Sequence, residues 1–188
     1  TGYVSITVLS VVNASISGNI SICQGQSTTL TATGGAPYSW SIGSSAPSIT
    51  ISPTAAGTYS FVLTAGTGSC RDTASISITV NPLPVVSASN DVTICPGYAT
   101  TLNATSTGGT GTMNYSWSPS ATLTNPNSSN PIAQPAVSGT YTYIVVGTDS
   151  KNCKNRDTVL VQVSIEPQAL FNSTSALSCE GTYVQFTD

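Results

Sequence analysis

Few residues in this chain have types and spacings that could do chemistry. There are five cysteines, Cys23, Cys70, Cys95, Cys153 and Cys179, and no histidine. Without histidine, a Ser-His-Asp or Cys-His relay cannot be assembled. No two cysteines stand in C-x₂-C spacing, so zinc has no ligand set. Disulfide formation in an oxidising, extracellular compartment is the chemistry that remains for the thiols. Cys23 and Cys70 flank Trp40, and Cys95 and Cys153 flank Trp117. This equivalent placement predicts Cys23–Cys70 and Cys95–Cys153 bonds, each within one unit and each worth about 4 kcal/mol by chain entropy. Cys179 opens a third unit, and its partner is expected beyond Asp188.

The carboxylates are Asp72, Asp91, Asp149, Asp157, Glu166, Glu180 and Asp188. Asp72 and Asp157 stand at equivalent positions beside Arg71 and Arg156, which points to a local structural role and not to acid–base catalysis. Asp149-Ser150-Lys151-Asn152 is a polar turn with too few oxygen ligands for calcium. No catalytic, metal-binding or cofactor-binding residue is assigned, and the chain is read as a non-enzyme. Trp40 and Trp117 could stack on sugars if exposed, but their equivalent positions inside strand patterns favour core packing.

The surrounding elements repeat. Cys23-Gln24-Gly25, Thr28-Thr29-Leu30-Thr31-Ala32, Tyr38-Ser39-Trp40-Ser41, Gly57-Thr58-Tyr59 and Cys70-Arg71-Asp72-Thr73 form one series. Cys95-Pro96-Gly97, Thr100-Thr101-Leu102-Asn103-Ala104, Tyr115-Ser116-Trp117-Ser118, Gly139-Thr140-Tyr141 and Cys153 with Arg156-Asp157-Thr158 form the second. Self-similarity at this spacing marks tandem modules. The expected boundaries are 1–8, the last strand of a preceding domain; 9–81, repeat 1; 82–165, repeat 2; and 166–188, the start of a third. Thr1–Val8 matches Thr73–Val80 in its Ser-Ile-Thr-Val ending, and as a lone apolar strand it is expected to complete a sandwich. Asn81-Pro82-Leu83-Pro84 and Glu166-Pro167-Gln168 are short, proline-restrained linkers.

Within each repeat the pattern is all β. Tyr59, Phe61 and Leu63 alternate with Ser60, Val62 and Thr64; Ile76, Ile78 and Val80 alternate with Ser75, Ser77 and Thr79. Period-two alternation of this kind predicts half-buried antiparallel strands, and six or seven of them per repeat predict a β-sandwich. The prolines then make a rod of beads. Leu123–Gln134, absent from repeat 1, is read as a surface loop.

Charged residues make up only 6% of the 188 residues, and the formal charge is −3. Four basic residues cannot build a phosphate-binding patch, which excludes nucleic acid. No apolar run approaches the ~20 residues of a membrane span, so no membrane insertion is expected.

The series of Cys-x-Gly, Thr-Thr-Leu-x-Ala, Tyr-Ser-Trp-Ser, Gly-Thr-Tyr and Cys-x(1–2)-Asp-Thr resembles the Ig-like repeats of very large Bacteroidota surface proteins. These include SprB-type gliding-motility adhesins and other type IX-secreted proteins. Residues 169–188 are similar to the opening of a PKD domain. The resemblance implies tandem Ig-like sandwiches in a secreted, surface-attached glycoprotein without cofactors. Antibody-type domains place the second cysteine two residues after a strand-F tyrosine. Here Cys70 lies well beyond Tyr59, so the bond is expected to tie strand ends or loops. Asp72-Thr73-Ala74 and Asp157-Thr158-Val159 resemble the Bacteroidota O-glycosylation motif, which implies Thr73 and Thr158 as acceptors; Asp-Thr equally opens the last strand.

The expected function is the non-catalytic stalk of a surface adhesin or extracellular filament. Expected partners are neighbouring repeats of the same chain, laterally associated or polymerised copies, and surface glycans or substratum. The alternative is a carbohydrate-binding accessory module of a secreted hydrolase.

Overall fold

A computed structural model describes residues 11–165 and the strand residues 172–173 and 186–187. The expectations for Thr1–Val8 and for most of the third unit fall outside the described residues. Among the described residues every regular element is a strand, as the alternation requires.

Repeat 1 contains β1 (Ser15–Ser17), β2 (Ser21–Cys23), β3 (Thr28–Thr33), β4 (Tyr38–Trp40), β5 (Ser48–Ile51), β6 (Gly57–Thr67) and β7 (Cys70–Asn81). They form two sheets, β1-β3-β5 and β2-β7-β6-β4. All pairings are antiparallel except β2 with β7, which run parallel with Ile22 opposite Val80. The chain therefore leaves one sheet after β1 and joins the edge of the other at β2. Gly18 makes this crossing possible, because a Cβ there would press on the Thr29 carbonyl and the Leu30 side chain. Leu30, Trp40, Phe61, Leu63, Ile78 and Val80 fill the space between the sheets. The β6 residues Phe61, Leu63 and Ala65 are buried while Ser60 and Val62 face outward, as expected for period two.

Repeat 2 contains β8 (Pro84–Ala88), β9 (Val92–Ile94), β10 (Thr100–Thr101), β11 (Ala104–Gly108), β12 (Asn114–Ser118), β13 (Leu123–Thr124), β14 (Ile132–Ala133), β15 (Gly139–Thr148) and β16 (Lys154–Val163). Its large sheet, β12-β15-β16-β9, repeats the parallel edge, with Ile94 opposite Val163. Leu102, Trp117, Tyr143, Val145, Val159 and Val161 make a second core. Beyond residue 165, β17 (Asn172–Ser173) pairs with β18 (Phe186–Thr187).

The segment read as a surface loop instead supplies two strands of a small sheet, β10-β14-β13, that stands beside the β8-β11 pair. β14 pairs with β10 as β5 pairs with β3, and β13 adds a strand outside it. Asn125, at φ 57°, turns the chain between them, a conformation asparagine tolerates better than most residues. The segment also closes over Trp117, whose Nε1 donates to the Ser128 carbonyl at 3.1 Å. In repeat 1 Trp40 donates to the Ala46 carbonyl at 2.9 Å. Both indoles are 2% exposed, which removes them as sugar platforms.

Each repeat also has a tyrosine corner, which the sequence reading passed over. Tyr59 donates to the Ala55 carbonyl and Tyr141 to the Val137 carbonyl, both at 3.0 Å and both four residues upstream.

Candidate functional site: the joint between the repeats

The two predicted within-repeat disulfides do not form. The structure bonds Cys23 to Cys153, with 5.5 Å between their Cα atoms and a sequence separation of 130. Cys70 and Cys95 carry free thiols. The reason is strand length. Cys23 lies opposite Asn81 at the last pair of β2 and β7, whereas Cys70 starts β7. A 12-residue strand separates those ends by about 36 Å. A disulfide needs Cα atoms within about 7 Å. Cys95 and Cys153 are kept apart in the same way by the length of β16.

The repeat 1 side of the joint is the Cys-x-Gly turn. The Gln26 amide donates to the Cys23 carbonyl at 2.9 Å, and the Gln26 side chain accepts from the Cys23 amide at 3.1 Å. Gly25, at φ 80°, supplies the left-handed residue, and its amide donates to the Pro53 carbonyl at 3.2 Å. The Gln24 amide donates to the Asn81 carbonyl, so the turn is fixed to the end of β7. Asn81 is buried, and its side-chain amide donates to Ser21 Oγ and the Ile22 carbonyl. The linker therefore leaves repeat 1 beside Cys23.

The repeat 2 side is the tip of the β15–β16 hairpin, organised around Asp149. Its carboxylate is buried. Oδ1 accepts from the Lys151 and Cys153 amides, both at 2.9 Å, and Oδ2 accepts from the Thr110 amide at 2.8 Å. Burial alone would raise the Asp149 pKa. The three backbone donors and the Lys151 charge outweigh it and hold the carboxyl below the usual aspartate range. With both oxygens facing N–H donors, this turn does not present a cation site. Asn152, at φ 63°, completes the loop, and Asn155 Nδ2 donates to the Pro84 carbonyl at 2.9 Å, which fixes the tip to the linker. Cys153 is held at 0% exposure facing Cys23. Beside the bond lies an open crevice of about 670 Å³, lined by Gln24, Gln26, Leu83, Asn152 and Lys154.

The other predicted residues are not brought to this joint. Asp72 Oδ2 accepts from the Ala14 amide at 2.9 Å and Oδ1 from the Thr73 amide at 2.8 Å. Asp157 repeats this with Ala88 and Thr158, both at 2.8 Å. These two donors hold the Asp157 carboxyl below its ordinary range against a smaller opposing effect of burial. Each aspartate thus clamps the first strand segment of its repeat to the last. Thr73 and Thr158 are both exposed. Among the described residues no three metal-ligating side chains cluster, and no helix is long and apolar enough to cross a membrane.

No family model matches the chain, and no curated protein matches it. Solved structures do match. The C-terminal 282-residue fragment of intimin, in complex with the translocated intimin receptor intimin-binding domain, aligns with TM-score 0.52 and 13% identity, over 80% of this chain and 64% of that one. Extracellular domains 3–5 of Drosophila OTK align with TM-score 0.51 and 9% identity, over 81% of this chain and 62% of that one. The likeness is one of fold. The chain is all-β and built of Ig-like sandwiches, as its alternation and its tyrosine corners require. Its disulfide is of the kind that persists in oxidising compartments.

Proposed function

We propose that this chain is a stretch of stalk from a secreted, surface-attached adhesin or extracellular filament, with repeat 1 spanning 9–81 and repeat 2 spanning 82–165. The observation that carries this reading is the Cys23–Cys153 bond. It joins the trailing end of one sandwich to the leading end of the next, where a disulfide sets the angle between two beads. Chain entropy gives such a bond about 5 kcal/mol for a loop of 130 residues. Because the linker already brings the two ends together, much of its effect falls on the joint and less on either core.

Other features support the same reading. Both tryptophans are core residues, which leaves the carbohydrate-binding alternative without its aromatic platform. The repeat motifs resemble those of type IX-secreted Bacteroidota adhesins, among them gliding-motility proteins. Neighbouring repeats of the same chain are then the first partners, with lateral copies and surface glycans as further ones. The exposed Thr73 and Thr158 are the proposed O-glycan acceptors.

Small-angle scattering on the full chain tests the shape. Two sandwiches end to end, each about 40 Å long, give a radius of gyration near 25 Å. A compact body of this length would give about 16 Å, and that result would reject the stalk.

A further inference from the structure

We propose that the Cys23–Cys153 bond is one rung of a recurring joint. In that joint the Cys-x-Gly cysteine of each repeat bonds to the hairpin-tip cysteine of the repeat that follows it. Cys95 and Cys70 are then the open halves of the same joint, one at each end of this pair. The inference rests on the tandem-stalk reading and gives it a chemistry.

The two turns that bear Cys23 and Cys95 are built alike. Cys23 follows Ile22, the partner of Val80; Cys95 follows Ile94, the partner of Val163. The Gly97 amide donates to the Pro135 carbonyl at 3.3 Å as Gly25 does to Pro53, and Gly97 has φ 76° where Gly25 has 80°. The Tyr98 amide donates to the Cys95 carbonyl as Gln26 does to Cys23. Cys95 thus stands in the geometry that Cys23 has when bonded. What differs is cover. Cys23 is 6% exposed, whereas Cys95 is exposed; the residues three further on, Gln26 and Tyr98, are exposed in both turns.

The hairpin tips correspond in place, though not in build. Cys70 pairs with Thr67 at the tip of β6 and β7, and Cys153 stands just before Lys154, one residue beyond the last pair, Thr148 with Lys154, at the tip of β15 and β16. Strand direction puts Cys70 at the end of repeat 1 remote from Cys23, and Cys95 at the end of repeat 2 remote from Cys153. The order along the rod is Cys70, repeat 1, the Cys23–Cys153 bond, repeat 2, Cys95. The partner that fits either free thiol is another repeat of this build, presenting the opposite half. Each rung forms by thiol–disulfide exchange. Two protein thiols become one disulfide, and a disulfide oxidant such as oxidised glutathione leaves as two thiols.

The test adds one repeat to the whole chain. In the first variant residues 82–164 are duplicated in frame. The chain carries Cys70→Ser and Cys179→Ser, and the added copy carries Cys95→Ser and, as a mass tag, Lys151→Arg. After oxidation with glutathione, non-reduced mapping of peptides cut before aspartate, which keeps position 151 on the Cys153 peptide, is expected to show Cys23–Cys153 together with Cys95 bonded to the tagged Cys153. If Cys23–Cys153 forms while Cys95 and the tagged Cys153 both remain open to alkylation, the recurring joint is rejected and the stalk survives. A Cys95–Cys153 bond inside the original repeat would reject both. A second variant duplicates residues 8–81 and carries Cys70→Ser in the first copy, Cys95→Ser and Cys179→Ser. It is expected to leave no alkylatable thiol, and two remaining thiols would overturn the proposal from the Cys70 side.

Discussion

The two hairpin tips do the same topological job with different materials. In repeat 1 the tip is Gly66-Thr67-Gly68-Ser69-Cys70, closed by backbone freedom. Gly66 and Gly68 take φ 86° and 57°, and a Cβ on Gly66 would land on the Cys70 carbonyl. In repeat 2 the tip is two residues longer, Gly147-Thr148-Asp149-Ser150-Lys151-Asn152-Cys153, and is closed by one carboxylate gathering three amides. The first tip ends in a half-exposed free thiol, the second in a fully buried bonded one. The four-stranded sheet is thus kept from one repeat to the next while its hairpin tip is rebuilt.

The largest test of this contrast is in the cores, where the two repeats should differ least. Trp40→Ala and Trp117→Ala should each destabilise the repeat that carries them by about 3–5 kcal/mol in chemical denaturation, leaving the other transition in place. Trp117→Ala should also release residues 123–134 to faster amide exchange, because the indole holds that segment at Ser128. Unequal core losses would mean the repeats are not equivalent beads.

Asp149→Ala comes next and has no counterpart in repeat 1. It leaves the Thr110, Lys151 and Cys153 amides without their acceptor and should cost repeat 2 about 3 kcal/mol. The yield of Cys23–Cys153 after reoxidation should fall with it. An unchanged yield would show that the loop, and not the carboxylate, positions the thiol.

Acid should separate the repeats in the same sense. Asp149 and Asp157 both have carboxyl pKa values lowered by folding, so their stabilisation is complete above the unfolded value of about 3.9. It is lost as pH falls through their lower folded values. In the reduced protein, repeat 2 should therefore lose stability faster than repeat 1 as pH drops below about 4. Tryptophan emission from Trp40→Phe and Trp117→Phe single-tryptophan chains would follow each repeat alone.

The smallest effect is the one that should be equal. Tyr59→Phe and Tyr141→Phe each remove one hydroxyl bond to a backbone carbonyl and should cost about 1 kcal/mol apiece. A clear difference between them would show that one corner contributes more than its bond.

Strand alternation, the core tryptophans and the repeat itself could be read from residue order, because period two and self-similarity are local properties. Cysteine pairing could not be read so simply. Equivalence of Cys23 with Cys95, and of Cys70 with Cys153, says which residues correspond but not which end of a sandwich each occupies. The run from Cys70 to Asn81 carried the missing signal. Its alternation, with Cys70, Ala74, Ile76, Ile78 and Val80 in phase and only Asp72 out of type, implies one long strand, and one long strand separates Cys70 from Cys23. Asp149 was hidden for a different reason. A polar turn and a buried carboxylate clamp have the same composition, and only the amides of Thr110 and Cys153 tell them apart. Residues 123–134 read as a loop because asparagine and proline mask the two short strands, β13 and β14, within them.

The parallel edge pairs, β2 with β7 and β9 with β16, have a mechanical consequence. With the Cys23–Cys153 bond reduced, tension along the proposed stalk pulls the entering part of a repeat, β1 and β2 or β8 and β9, one way and its last strand the other. Because the two lie side by side and point the same way, that pull slides them past each other. Every bond between Ser21–Cys23 and Thr79–Asn81 is then strained together. An antiparallel edge pulled from one end would open like a zip, one bond at a time. With the joint open, each bead therefore meets a stretching force in shear, the direction in which even a three-residue strand resists rupture best; where the joint is closed, the load passes from the end of β2 through Cys23–Cys153 to the start of β16.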